Sequence, residues 1–290
     1  MEGLIIKGVG GLYTVLAGGD FYQTKARGRF RREKMTPMIG DRVEFCPAEA
    51  GEDFGYILKI KPRTAQLERP PVANLDLLLV VLACRSPQPD LLLADKLLLK
   101  AFQIGVEAVV AINKIDLAPF ETIAKQYRLS GLEVFPVSVQ TGEGLDALKT
   151  RMRGYICAYA GQSGVGKSSL LNALTGKDKM ETGSVSRIER GRHTTRHVEL
   201  IALDASTWVA DTPGFSLLET DLMDPGQLKS LYTEFAPYEG LCRFNGCNHV
   251  NEPGCAVKQA VDQGLLSEQR HERYKLLYQE FNEKWRLRYD

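Results

Sequence analysis

One run constrains this chain more than any other. Gly161, Gln162, Ser163, Gly164, Val165, Gly166, Lys167 and Ser168 follow one another and fit GxxxxGK[ST]. An apolar stretch at 155–160 precedes the run, and the helical pattern SLLNAL follows it. Strand, glycine-rich turn and helix in that order make a phosphate cradle. The glycines let backbone N–H groups curl around phosphate oxygens. The helix, opening at Lys167, Ser168 and Ser169, directs the positive end of its dipole at the same anion. Lys167 is expected on the β- and γ-phosphates, and Ser168 on Mg²⁺.

The surrounding texture agrees with an α/β domain. Apolar strand-like runs at 75–82, 108–112, 133–137 and 155–160 alternate with helical stretches at 91–102, 120–130 and 144–153. Such alternation predicts a parallel sheet covered on both faces. A helix to about residue 175, a polar basic loop and strands at 198–203 and 207–210 complete it. Residues 1–65 differ. Short strands at 4–7, 12–16, 21–30, 42–45 and 56–60 are punctuated by glycines, which suggests a small β-barrel or sandwich. Arg69-Pro70-Pro71 reads as a stiff, extended boundary. Beyond residue 217 a cysteine-bearing loop leads into helices. There Ser267 is a plausible N-cap, and Tyr274, Leu277, Tyr278, Phe281 and Trp285 share a face expected to pack inward. Three domains are expected: 1–68, 69–218 and 219–290.

The base is chosen by an earlier segment. Asn113, Lys114, Ile115 and Asp116 directly follow the strand EAVVAI. A carboxylate at Asp116 can accept two hydrogen bonds from guanine's ring N–H and exocyclic amine. Adenine lacks that edge and would leave a desolvated carboxylate unmatched. Asn113 can tie this loop to the phosphate loop, and the stem of Lys114 can cover the base. Ser138 and Val139, just after the next strand, are placed to offer a backbone N–H to guanine's carbonyl. At the far end, Asp211-Thr212-Pro213-Gly214 closes a strand. Asp211 is expected to hold Mg²⁺ through water, and the Gly214 N–H to sense the γ-phosphate. In the basic loop, Thr194 or Thr195 should complete the Mg²⁺ shell. A glutamine often follows DxxG to orient water, but here Phe215 stands there, so His193 is the candidate to orient it. The base-reading motif precedes the phosphate loop, the reverse of the usual order. A parallel sheet tolerates this if the old termini were joined and the chain cut elsewhere, after residue 214.

Two further clusters carry chemistry. Cys242, Cys247, His249 and Cys255 offer three thiols and an imidazole within a short loop. This is a tetrahedral Zn²⁺ set with no open position, hence one structural zinc. Cys46, Cys84 and Cys157 stand alone and are expected as buried thiols. Lys25, Arg27, Arg29 and Arg31 recur every second residue, so an extended strand would place them on one face. Arg32 and Lys34 add charge, and Phe21, Tyr22 and Phe30 are interleaved. Cations and aromatics on a small barrel resemble an oligonucleotide-binding (OB) surface, with salt-sensitive RNA binding.

Composition narrows the class without naming a partner. The chain has 290 residues, 44% hydrophobic and 25% charged, with a formal net charge of +1. No charged start leads into an apolar leader. The longest greasy run, 75–84, holds Asp76 and is too short for the roughly 20 residues a membrane span needs. A cytoplasmic protein, without membrane partners and as a monomer, is expected.

With GQSGVGKSSLLNAL, GRHTTRHVEL, ADTPGF, the preceding NKID and the Cys/Cys/His/Cys cluster in view, the chain closely resembles the ribosome small-subunit-dependent GTPase family (RsgA, also called YjeQ or YloQ). The likeness runs over essentially the whole length. It implies an OB-like barrel, a circularly permuted GTPase domain and a mainly helical zinc domain. It further implies hydrolysis of GTP to GDP stimulated by the 30S subunit, binding to its ribosomal RNA, and action late in 30S maturation. The family's first-switch histidine matches His193. Two rivals remain open on the residues alone: a phosphate-loop NTPase acting on a different RNA or a small molecule, and a nucleotide-independent zinc and RNA-binding module.

Overall fold

The computed structural model describes residues 1–28, 30, 35–68, 70–176, 198–211 and 224–287. Five strands open the chain: β1 (Glu2–Val9), β2 (Leu12–Ala17), β3 (Asp20–Ala26), β4 (Arg42–Cys46) and β5 (Gly55–Ile60). Their alternation sends Ile5, Val15, Val43, Phe45 and Ile57 inward, each fully buried. β1 pairs with β2 and β4, β4 with β5, β5 in parallel with β3, and β3 with β2, so the ring closes. This is the five-stranded OB-like barrel expected.

One expected strand is shorter. The extended run over 21–30 stops at Ala26. Gly28 lies in a turn, the Phe30 N–H donates to the Arg27 carbonyl at 3.1 Å, and the Phe30 side chain is buried. The chain leaves the sheet at this turn, so the two-residue alternation carries Lys25 but does not extend past Ala26. The segment read as a stiff boundary also has structure around it. β6 (Gln66–Glu68) and β7 (Pro71–Ala73) form an antiparallel ribbon, and buried Val72 bridges to Ile39. Pro71 is tolerated because it opens a strand at a ribbon end.

The central sheet comprises β8 (Leu77–Ala83), β9 (Glu107–Asn113), β10 (Val134–Pro136), β11 (Ile156–Ala160), β12 (Val198–Ala202) and β13 (Trp208–Asp211), in the order β10-β9-β8-β11-β13-β12. The first five in that order are parallel, and β12 runs antiparallel to β13. Every residue of β8 is buried. Leu78, Val80 and Leu82 meet helices α1 (Leu91–Gln103) and α2 (Glu121–Arg128) on one face. Leu77, Leu79 and Val81 meet α3 (Leu145–Met152) and α4 (Lys167–Thr175) on the other. That is why the run is apolar without alternation. β12 also pairs with β1, so sheet and barrel are continuous.

The C-terminal region holds 3₁₀ helices Pro225–Leu231 and Thr233–Tyr238, then α5 (Ala256–Asp262) and α6 (Glu268–Arg286). The Ser267 hydroxyl caps α6, accepting from the Arg270 N–H at 3.3 Å. Tyr274, Leu277 and Phe281 are fully buried, the packing role expected of that face. Cys84 and Cys157 are buried, but Cys46 is exposed, because it ends β4 pointing opposite to inward Phe45. No described helix is long and apolar enough to cross a membrane.

Candidate functional site

The carboxyl ends of β8, β9 and β11 meet at one edge of the sheet, where parallel α/β sheets bind ligands. From β11 the chain turns into the phosphate loop. A Cβ on Gly161 would lie 2.2 Å from the Val81 carbonyl oxygen, and one on Gly166 only 2.5 Å from Asn113 Nδ2. Both glycines also have positive φ, so no side chain fits either position without strain. α4 starts at Lys167 with no acidic residue in its first turn, which leaves its positive end free for an anion. Lys167 Nζ donates to the Gly161 and Gln162 carbonyls at 2.7 and 2.9 Å. Burial pulls its pKa down, and an anion beside it would offset that.

The base-reading loop leaves β9 and locks onto this cradle. Asn113 Nδ2 donates to the Val165 carbonyl at 2.9 Å in a buried contact, and Asn113 Oδ1 accepts the Lys114 N–H at 2.8 Å. Lys114, in the left-handed region, donates through Nζ to the Gly164 carbonyl at 2.8 Å and to the Ser86 carbonyl. Asp116 Oδ1 accepts the Ser138 hydroxyl at 2.6 Å. Burial first, and then the Asp116 carboxylate, push the Cys84 thiol up. The Ser138 N–H already donates to the Glu143 carbonyl at 3.0 Å. Ser138 therefore serves through its hydroxyl by fixing the carboxylate. Ser86 was not legible, because a backbone carbonyl leaves no mark on residue choice.

Several expected residues lie outside the described ones: His193, Thr194, Thr195, Gly214 and Phe215, with Arg29, Arg31, Arg32 and Lys34 of the barrel. The backbone of Asp211 ends β13, parallel to and beside β11.

In the C-terminal region, donor atoms of Cys242, Cys247, His249 and Cys255 lie within 4.8 Å of one another. His249 Nδ1 is 3.6 and 3.3 Å from the Cys242 and Cys255 sulfurs, which are 4.0 Å apart. Tetrahedral zinc bonds of about 2.3 Å to sulfur and 2.0–2.1 Å to nitrogen give spacings of about 3.5–3.8 Å, and these distances bracket that range, so the donor set suits zinc. Burial pushes the Cys247 thiol up to about 12 and the His249 imidazole down. Thiolates here would need a cation to hold them. The loop backbone is fixed from outside the donor set. Glu252 accepts from the N–H groups of Asn248, Val250 and Asn251 at 2.8, 2.9 and 3.0 Å. Lys229 Nζ donates to the Cys247 carbonyl at 2.8 Å.

On the barrel, Lys25 Nζ sits 4.0 Å over Phe54, and Arg27 lies 5.8 Å over Tyr56. Phe21 is exposed, whereas Tyr22 packs on Phe45 and Phe30 is buried. Sequence spacing missed Phe54 and Tyr56, which reach the cations through the parallel β3–β5 pairing of Lys25 with Tyr56.

A phosphate loop held against an Asn-Lys-Ile-Asp loop from an earlier strand is the arrangement of a circularly permuted GTPase. Comparison with known proteins agrees. The RsgA GTPase family model matches residues 60–221, and the RsgA N-terminal domain model matches residues 2–57. A protein of Geobacillus thermodenitrificans named small ribosomal subunit biogenesis GTPase RsgA is 44% identical over 98% of both chains. One of the same name from Ruminiclostridium cellulolyticum is 43% identical over 95% of this chain and 92% of its own. Among solved structures, YjeQ from Thermotoga maritima aligns over 97% of this chain and 98% of its own, with TM-score 0.80 and 33% identity. YloQ, described as a circularly permuted GTPase, aligns over 98% and 95%, with TM-score 0.78 and 32% identity. The chain belongs to the RsgA GTPase family and is a GTP hydrolase.

Proposed function

We propose that this protein hydrolyses GTP to GDP and phosphate when bound to the small ribosomal subunit, late in that subunit's maturation, and is released afterwards. The observation that supports the reading is the docking of Asn113 and Lys114 onto the phosphate loop, with Asp116 of the same loop held by the Ser138 hydroxyl. The names of the relatives supply the ribosomal context.

Within this reading, N–H groups of residues 161–169 and Lys167 hold the β- and γ-phosphates, joined by the Gly214 N–H. Asp116 selects guanine, with Val139 offering an N–H to its carbonyl. Ser168, Asp211 and Thr194 or Thr195 would hold Mg²⁺, which neutralises phosphate charge when bound with GTP. His193 orients the attacking water once the ribosome arranges its loop. One structural zinc sits on Cys242, Cys247, His249 and Cys255. Lys25, Arg27, Arg29, Arg31, Arg32 and Lys34 contact ribosomal RNA phosphates. The units are 1–68, 69–218 and 219–290, and the protein acts as a cytoplasmic monomer.

The test is GTP turnover with and without purified small subunits. Stimulation is expected, and His193→Ala should abolish it while leaving nucleotide binding intact. Unchanged turnover on adding subunits overturns the ribosomal reading. Asp116→Asn should shift preference from guanine toward xanthine nucleotides, and failure to do so removes Asp116 from the base site.

A further inference from the structure

Helix α6 faces two ways. Toward the GTPase domain, Arg270 Nη1 and Arg273 Nε each lie 2.5 Å from an oxygen of Asp95 on α1. Arg270 Nε also pairs with Glu234 at 2.6 Å, and Arg273 Nη1 donates to Gln126 Oε1 at 2.8 Å. The Asp95 side chain is 0% exposed and that of Arg270 3%. Lys96 on α1 meets Glu280 on α6 at 2.7 Å. Toward the metal loop, His271 Nε2 donates to the His249 carbonyl at 2.8 Å, and the Tyr274 hydroxyl donates to the Asn248 carbonyl. One helix thus grips both the backbone of a zinc ligand and α1.

α1 in turn begins at the nucleotide pocket. Its N-cap Asp90 follows the loop in which the Ser86 carbonyl accepts Lys114 Nζ and Pro87 lies against Gly164. At its other end, Leu99 of α1 is buried in the C-terminal core with Cys247 and Cys255. The junction between α1 and α6 carries two guanidinium groups against two carboxylates, so it is balanced, and loss of one member leaves a buried charge uncompensated. Yet Tyr232 Oη, Glu234 Oε2 and Arg273 Nη2 are buried there without a hydrogen-bond partner among the described residues. Spare donors and acceptors leave this network free to re-pair, which makes it the candidate two-state element between the two sites.

We infer that zinc occupancy and guanine-nucleotide affinity are linked through α6. Arg270 and Arg273 are positioning residues that act on the Ser86–Pro87 wall of the nucleotide pocket by way of Asp95 and α1. The inference rests on the zinc and guanine readings given above. Linkage is reciprocal: if zinc tightens GDP binding by some factor, GDP tightens zinc binding by the same factor, typically about 5–150-fold.

The experiment uses the full chain. The affinity for a fluorescent GDP is measured on zinc-loaded and chelated protein, and zinc transfer to a chelator is measured with and without GDP. Zinc content and thermal melting are followed in parallel. Wild type should bind GDP at least about fivefold more tightly when loaded, and GDP should hold zinc against the chelator by a matching factor. Arg273→Gln keeps the Arg270–Asp95 pair. It should retain zinc and GDP binding while both factors fall toward one. Lys96→Met, at the half-buried edge of the junction, should reduce them partly and serves if Arg273→Gln fails to fold. Coupling through global stability alone would persist in both variants and overturns the inference. So do equal GDP affinities in loaded and chelated wild type. Wild type that carries no zinc, or binds no GDP when loaded, overturns the site readings and the linkage with them.

Discussion

The phosphate loop and the Cys/His cluster both suit a charged ligand, but they are built from opposite materials. In the pocket, backbone N–H groups and the end of α4 supply the anion site, and the main side chain, Lys167, rests on carbonyls of its own loop. In the cluster, four side chains supply the ligand atoms, and the backbone between them is fixed by Glu252, Lys229, His271 and Tyr274. The first arrangement lets a ligand come and go, because hydrogen bonds to loop carbonyls can replace those to phosphate at small net cost. The second has no comparable substitute for the metal, since buried thiols and an imidazole without it return to protonated or neutral forms. On the proposed reading, the contrast suits the phosphate loop to exchange and the Cys/His cluster to a retained metal.

The largest effect expected falls on the permanent site. Cys255→Ser should abolish stoichiometric zinc and loosen the core formed by Cys247, Cys255, Phe235 and Tyr274, because structural zinc contributes on the order of 10 kcal/mol. Elemental analysis and thermal melting check it. Retention of zinc with an unchanged melt would break the comparison at once. Lys167→Ala should leave the melt nearly unchanged while lowering GTP turnover by about 10²–10³-fold, the scale of one lost charge-stabilising donor. A collapse of stability instead would show that Lys167 holds its loop, contrary to an exchangeable site.

The support of the zinc loop is the next discriminator. Glu252 takes three backbone N–H groups through two carboxylate oxygens. Burial pushes its carboxyl up, but the backbone N–H groups together outweigh this and hold it below the ordinary glutamate value. In Glu252→Gln, an amide NH₂ must replace one acceptor oxygen and face a donor. Zinc affinity should fall by about 10–100-fold, as for other residues that orient metal ligands. Competition with a chromogenic chelator reads this, and an unchanged affinity would mean that the cluster does not need its outer frame.

Much of this was legible in the sequence because it depends on residue type. The uniformly apolar run at β8 announced a strand buried on both faces, and the glycines at 161 and 166 announced close backbone approach. The cysteine and histidine spacing announced the donor set. What escaped depends on tertiary placement. β3 ends at Ala26 and the chain turns at Gly28, although the alternation of charged residues continues past both. Phe54 and Tyr56 join Lys25 and Arg27 only through a parallel pairing distant in sequence. Ser86 takes part through a carbonyl, and Asp95 and Arg270 meet across the chain in a junction with no motif.

The smallest effect expected tests the pocket's own frame. Ser138 is buried, its hydroxyl donates to Asp116 at 2.6 Å, and the same oxygen accepts the Thr141 N–H at 3.2 Å. Ser138→Ala deletes one hydrogen bond to a carboxylate that guanine itself would engage by two more. The nucleotide supplies most of the ordering, so the loss should be close to that of one hydrogen bond to a charged group. That is about 1.5 kcal/mol, or roughly tenfold in GDP affinity. Preference for guanine over adenine should persist, because the carboxylate remains. Isothermal titration with GDP and ADP separates the terms. A loss well beyond tenfold would mean that Asp116 adopts its binding position only when Ser138 holds it. The exchangeable site would then rest on an outer frame much as the metal loop does, and the difference between the two would narrow to the ligand atoms alone.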